Sequence, residues 1–290
     1  MVSIYGKKHR ILDSVAYAFI YISAGFSVVL LLGIVAFVFW NGWDKVNWEF
    51  LTTTTSILKG TVGIAGNILN TIYIILLTML IATPIGVGTA IYLNEYAKPG
   101  KFVKLIELAT ETLAGIPSII FGLFGMMFFG TTLGLSYSIL TGTLTLTLMV
   151  LPLVTRNTQE ALKTVPNSYR NGAIGLGSGK WYMIRTILLP SAMPGIITGV
   201  ILAIGRIVGE SAALLYTAGS SSLLPTGIKE YLTKIFESGG TLTIQLYLSA
   251  VNGEYDVAFG IAVVLLLVVL GINFLTKWLA KKFDVNRLSK

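Results

Sequence analysis

Residues 171–190 read NGAIGLGSGKWYMIRTILLP, a glycine-broken loop carrying Lys180 and Arg185 and set between long apolar runs. Just upstream, Pro166 suits the first turn of a helix, where no amide donor is needed; Tyr169, Ala173 and Leu176 then recur at i, i+4 and i+7 on one apolar face. Gly175, Gly177 and Gly179 weaken a continuing helix and permit positive φ, so a turn is predicted there. A second helix is expected from about Lys180 to Leu188, with Trp181, Ile184 and Leu188 on one side, until Pro190 and Pro194 reset the backbone at a membrane surface. The pattern alone fits two roles: an amphipathic loop resting on lipid headgroups, or a surface on which another protein docks.

The chain around this loop is a membrane protein. Of its 290 residues 54% are hydrophobic and 12% charged, and the mean hydropathy is +0.79, whereas about a quarter of the residues in a soluble domain are charged. Crossing roughly 30 Å of hydrocarbon takes about 20 helical residues. Runs of that length occur at Ser14 to Asn41, Thr61 to Asn94, Thr112 to Thr155, Thr186 to Gly205 continuing past Glu210, and Val257 to Thr276. The third is double length and breaks around Gly130 to Ser136, which makes six spans, at about 15–40, 67–93, 112–130, 137–155, 193–217 and 257–277. The expected organisation is an all-α polytopic protein with an N-terminal segment over 1–13, a single transmembrane domain over 14–290, and a loop over 156–190.

Basic residues give the orientation. Lys7, Lys8, Arg10, Lys98, Lys101, Lys104, Arg156, Lys163, Arg170, Lys180, Arg185, Lys277, Lys281, Lys282, Arg287 and Lys290 fall on one side, sixteen in all; Lys45, Lys59, Lys229 and Lys234 fall on the other. The positive-inside rule then makes both termini and the 156–190 loop cytoplasmic, in a multi-pass cell-membrane protein. The formal charge of +8 is accounted for by this topology, with no basic patch interleaved with aromatics to suggest nucleic-acid binding. The basic start, Lys7-Lys8-His9-Arg10, precedes a run from Val15 to Trp40 that is too long for a secretory signal and is read as an uncleaved first helix.

Enzyme chemistry finds no foothold in these residues. The chain has no cysteine, so it has no thiol nucleophile or thiolate metal site, and the single His9 lacks partner spacing for a metal or a catalytic dyad. Gly175 to Trp181 has the look of a phosphate loop, but Ile174 occupies the first required glycine position and Trp181 the magnesium-binding hydroxyl position. No cofactor is expected, and any ATP used must be bound by another polypeptide.

Arg206 and Glu210 stand four apart deep in the fifth span. On one helix they would share a face within pairing distance, which lowers the penalty for charge in lipid. Such a pair serves either to fix helix register or to line a substrate path. Gly195 with Gly199, and Gly205 with Gly209, are spaced for close helix approach, and Pro84, Pro117 and Pro152 are expected to kink spans two to four. The connection from Gly219 to Asp256 contains a short amphipathic helix at Ile228 to Phe236, on which a soluble protein could rest; Trp43 and Trp48 suit an interfacial aromatic belt.

The spacing of Ala173, Gly177, Ile187, Leu189 and Pro190 resembles the EAA loop of ABC-importer permeases, with Asn171 and Gly172 in place of the family's Glu and first Ala. Arg206-x-x-Gly209-Glu210-Ser211-Ala212 is similar to the Arg-x-x-Gly-Glu-Thr/Ser-Ala segment of permeases from phosphate-specific ABC importers. Pro117 to Leu123 resembles that family's third-span signature, Leu188 to Ile196 the exit from its EAA loop, and Thr243-Ile244-Gln245-Leu246-Tyr247 the Leu-x-Gln-Ile-Tyr of its A-type subunit. The resemblance runs from Ile68 onward and implies the type I (MetI-like) permease fold. It implies a role for Arg206 and Glu210 in the phosphate pathway and for Tyr169, Asn171, Gly172, Ala173, Leu176 and Gly177 in docking an ATPase. The partners implied are a second permease, a pair of ABC ATPase subunits and an extracytoplasmic phosphate-binding protein, in a bacterial or archaeal membrane. Three rival readings stand beside it: import of another oxyanion such as molybdate or sulfate, an ion-coupled secondary transporter with Glu210 as proton carrier, and an assembly scaffold.

Overall fold

A computed structural model describes residues 11–56, 60–98 and 100–282, with side chains from 13 to 278 within those ranges. Lys7, Lys8, His9, Arg10, Lys59, Arg287 and Lys290 lie outside the described residues. The helices are α1 (Ile11–Gly42), α2 (Trp48–Thr52), α3 (Ala65–Ile91), α4 (Lys101–Ala114), α5 (Ser118–Gly125), α6 (Ile139–Thr164), α7 (Asn167–Gly175), α8 (Lys180–Met183), α9 (Leu189–Val208), α10 (Ala212–Thr217), α11 (Ile228–Thr233), α12 (Leu242–Val251) and α13 (Tyr255–Lys282). A two-stranded antiparallel hairpin, β1 (Thr54–Ser56) and β2 (Thr61–Ile64), adds the one sheet among the described residues.

Five helical stretches among the described residues are long and apolar enough to cross a membrane: Asp13–Lys45, Ala65–Tyr96, Ile139–Thr164, Lys180–Val208 and Tyr255–Trp278. Lys101–Ala114 and Ser118–Thr132, two helices bent by 102° at their junction, make a sixth candidate when the pair counts as one span. Pro117 sits in that junction, with no amide proton to continue α4. The stretch read as 112–130 therefore starts inside α4, an amphipathic helix with Lys101, Lys104, Glu107 and Glu111 along one side. The connection read at Gly130 to Ser136 is tight, with Gly134 at φ +72° and Ser136 at +52°.

At the centre lies α6, packed between α3 and α9. Leu146, Met149, Val150 and Val154 meet Ile74, Ile75 and Ala82 of α3 and Ala203, Ile207 and Val208 of α9 in one buried cluster. Six threonines of α6 are buried with them, and burial away from water favours a partner for each hydroxyl, although that of Thr143 has none among the described residues. Thr145 and Thr147 do so by donating to the carbonyls one turn back, at 2.8 Å each. Close approach comes from small residues: a Cβ at Gly86 would lie 2.8 Å from Val154, at Gly195 2.6 Å from Ala161, and at Gly199 2.6 Å from Asn157. The first of the two expected glycine pairs thus packs α9 onto α6. Gly205 has nothing within 4 Å, and the nearest atom to Gly209 is a carbonyl of its own helix.

Pro190 and Pro194 do not end the helix that leaves the loop, as the sequence suggested. Helix runs from Lys180 to Val208, because residues 184–188 form a π-turn just before Pro190 that absorbs the missing donor. Ile184 and Leu188 are buried as expected, whereas Trp181 faces out. The connection from Gly219 to Asp256 holds the expected short helix over Ile228–Phe236, whose Glu230 carboxyl is kept below the usual carboxylate range by the Thr226 backbone N–H and hydroxyl. It also holds α12, which the sequence reading left unassigned.

Candidate functional site

Two groups of residues carry the candidate site, one at the loop and one within the fifth helical stretch. At the loop, α7 begins directly after Pro166 and ends in a Schellman turn. Gly177 takes φ +77°, its N–H donates to Ile174 O at 2.9 Å, and Ser178 N–H donates to Ala173 O at 2.9 Å. The turn predicted at the glycines therefore centres on Gly177. Of the expected apolar face only Ala173 is buried, against Leu162, Met183, Ile184 and Leu188. Tyr169 is half-exposed and Leu176 is 91% exposed; Ile174, Trp181 and Tyr182 are exposed with them, and Asn171 and Gly172 lie on the same open surface. An apolar patch of this kind on a loop marks an interaction surface.

Beneath the patch a polar clamp holds α7 in place. Arg170 pairs with Glu95 at 2.9 Å, and its guanidinium also reaches the carbonyls of Leu162 and Val165 at the end of α6. Lys180, at the start of α8, stands 4.8 Å from the Tyr96 ring centroid. In the sequence Arg170 and Lys180 were read only as orienting charges, and Glu95 went unremarked. A lone acid closing an otherwise uncharged run was the available signal.

In the fifth stretch the helical Arg206–Glu210 pair is not formed. The helix stops at Val208, and Gly209 to Ser211 separate α9 from α10, so the i, i+4 relation does not hold there. Glu210 Oε1 instead accepts from the Ala213 N–H at 3.0 Å, capping α10, and the Glu210 carbonyl accepts from Thr243 Oγ1 of α12 at 2.9 Å. Arg206 is part-buried and has no ion-pair or hydrogen-bond partner among the described residues. Its side chain borders a cavity of about 80 Å³ shared with Glu111, Met149, Pro152, Leu153 and Arg156. Arg156 is itself paired with Glu160 at 3.3 Å and Glu111 at 3.9 Å. This leaves one guanidinium, with five donors in a planar fork, available to an anion within the helix bundle. Among the described residues no group of acids and histidines is arranged to hold a metal ion.

Residues 82–286 match the family described as the binding-protein-dependent transport system inner membrane component. The chain is 34% identical to the probable ABC transporter permease protein YqgI of Bacillus subtilis, covering 96% of this chain and 99% of that one. It is also 34% identical to the phosphate transport system permease protein PstA of Mycobacterium leprae, over 92% of this chain and 88% of that one. Among solved structures, a bacterial alginate ABC transporter in complex with alginate-bound periplasmic protein aligns at TM-score 0.70 and 15% identity, over 94% of this chain and 96% of its own. The MetNI methionine ABC transporter aligns at TM-score 0.58 and 18% identity, over 74% and 93%. These last two identities bear on the fold alone.

Proposed function

The chain belongs to the family of binding-protein-dependent transport system inner membrane components, and from that premise we propose that this ABC-importer permease carries inorganic phosphate into the cytoplasm. The observation that supports an oxyanion cargo is Arg206, a guanidinium with no partner among the described residues, and the 34% identity to a phosphate permease supports phosphate among the oxyanions. A planar fork suits phosphate oxygens. With no carboxylate bonded to it among the described residues, Arg206 can take an anion in passing and release it, which conduction requires. Glu210 keeps the gap between α9 and α10 open by capping α10, so it shapes the pathway without holding the ion.

On the same reading, both termini and the 156–190 loop face the cytoplasm. The patch of Tyr169, Ile174, Leu176 and Trp181 receives an ATPase subunit, with Asn171, Gly172 and the Gly177 turn shaping it. ATP is hydrolysed by those subunits, a second permease completes the pathway, and an extracytoplasmic phosphate-binding protein delivers the ion.

The test is import by the reconstituted complex in vesicles, with labelled phosphate competed by sulfate, molybdate or arsenate. Phosphate uptake that requires ATP and the binding protein is expected. Uptake of sulfate or molybdate in preference would assign another oxyanion. Uptake driven by a proton gradient without ATP would instead favour the secondary-transporter reading of Glu210.

A further inference from the structure

We propose that Arg170 and Glu95 form a positioning clamp that ties the coupling loop to α3, so that import fails to follow ATP hydrolysis when the clamp is loosened. The inference rests on the coupling role given above to the 156–190 loop. Every donor of the Arg170 guanidinium is used: Nε and Nη2 to Glu95 Oε1 at 3.2 and 2.9 Å, Nη2 to Leu162 O at 2.9 Å, Nη1 to Val165 O at 2.8 Å and to Asn167 Oδ1 at 3.3 Å. Glu95 Oε1 also accepts from Asn94 Nδ2 at 2.7 Å. The two side chains are 17% and 6% exposed, unlike the open Arg156 pairs at more than 60%. Exposed pairs of that kind contribute little, whereas removing one partner from a largely buried pair, its guanidinium fully bonded, leaves a stranded charge.

Three elements therefore meet on one side chain. The helix α6 ends where Pro166 offers no N–H, leaving late carbonyls that Arg170 satisfies. Glu95 belongs to the π-turn Tyr92–Tyr96 that closes α3, and the Lys180 ammonium over Tyr96 ties α8 to the same turn. Both halves of the loop are thus held to one π-turn by a cation. Apolar anchoring of α7 is slight by comparison, since α7 buries Ala173 alone, whereas the half of the loop after Lys180 is also held by Met183, Ile184 and Leu188. The clamp is what fixes the direction in which α7 can push, and α3 is the span packed along α6.

The test uses the complete complex in vesicles and two mild substitutions, Arg170→Lys and Glu95→Gln. Lysine keeps the charge but loses the fork, and glutamine keeps an acceptor but loses the charge. The readouts are phosphate imported per ATP hydrolysed and the amount of ATPase subunit retained on purification. Each variant is expected to keep its ATPase subunits and to lose about tenfold in import per ATP. The double variant should be no worse than either single one, because both act through one contact. Import per ATP unchanged in either single variant would overturn the proposal, and so would loss of ATPase retention in step with import, which marks a merely structural pair. A wild-type complex whose ATP hydrolysis is stimulated by its binding protein, yet which imports no phosphate, sinks the substrate reading instead. The clamp is then read from the loss of that stimulation in the variants.

Discussion

Gly177 offers a perturbation that separates backbone from side chain. Its φ of +77° lies in the left-handed region, and a Cβ built there meets nothing within 4 Å. Any penalty on substitution is then conformational, about 1–2 kcal/mol for an ordinary L-residue, greater for a β-branched one and smaller for asparagine. Because 1.4 kcal/mol is about tenfold in an equilibrium, Gly177→Val shifts the turn away from its native form by at least about tenfold. Ser178 then withdraws its N–H from Ala173 O, and the exposed Leu176 is re-aimed. Measured as import per ATP in reconstituted vesicles, coupling should fall in the order Gly177, Gly177→Asn, Gly177→Ala, Gly177→Val. Full coupling in Gly177→Val would refute the docking assignment, and a defect in Gly177→Asn as severe as in Gly177→Val would show that φ is not the cause.

Arg206→Met should assemble normally and abolish phosphate uptake, since no partner loses a contact, while Arg206→Lys should retain partial uptake with poorer discrimination against sulfate. Normal uptake by Arg206→Met sinks its transport role. Glu210→Leu removes the cap on α10 and should lower thermal stability in detergent by about 1 kcal/mol; combining it with Arg206→Met should add the two effects, as no ion pair couples them. Cysteines at Leu176 and Leu223, 91% and 69% exposed in a chain with none of its own, should react with impermeant reagents from the cytoplasm and from outside respectively; labelling from one side contradicts the orientation. Gly199→Val should destabilise the subunit by about 1–3 kcal/mol through overpacking on Asn157, whereas Gly205→Val should leave the isolated subunit's melting temperature unchanged.

The apolar runs were legible because lipid imposes length and hydropathy on each span, and the Gly177 turn because a positive φ has few other solutions. The short helix at Ile228–Phe236 was legible from its breakers, Pro225 to Gly227 and Ser238 to Gly240. Three features were hidden for physical reasons. Pro190 and Pro194 read as helix stops, but a π-turn accommodates them, and nothing local announces a π-turn. The i, i+4 spacing of Arg206 and Glu210 read as a pair, but the stop at Gly209 is imposed partly by α12, through Thr243 from a distant stretch of the chain. Arg170 and Glu95 lie 75 residues apart, a separation that helical periodicity cannot bridge. The candidates Arg206, Glu210 and the loop residues could thus be named from the sequence, but not their arrangement in space, nor the contact of Arg170 with Glu95.

Because Pro190 and Pro194 fail to interrupt it, the helix from Lys180 to Val208 joins the docking loop and Arg206 in a single rod. At about 1.5 Å per residue the Arg206 backbone stands roughly 39 Å from the Lys180 end. A rod of that length is a lever: a tilt of about 5° pivoting at the loop carries the guanidinium sideways by about 3 Å, the length of one hydrogen bond. On the function proposed above, rocking too small to unseat an ATPase from the loop would be large enough at the far end to make or break the grip of Arg206 on an anion.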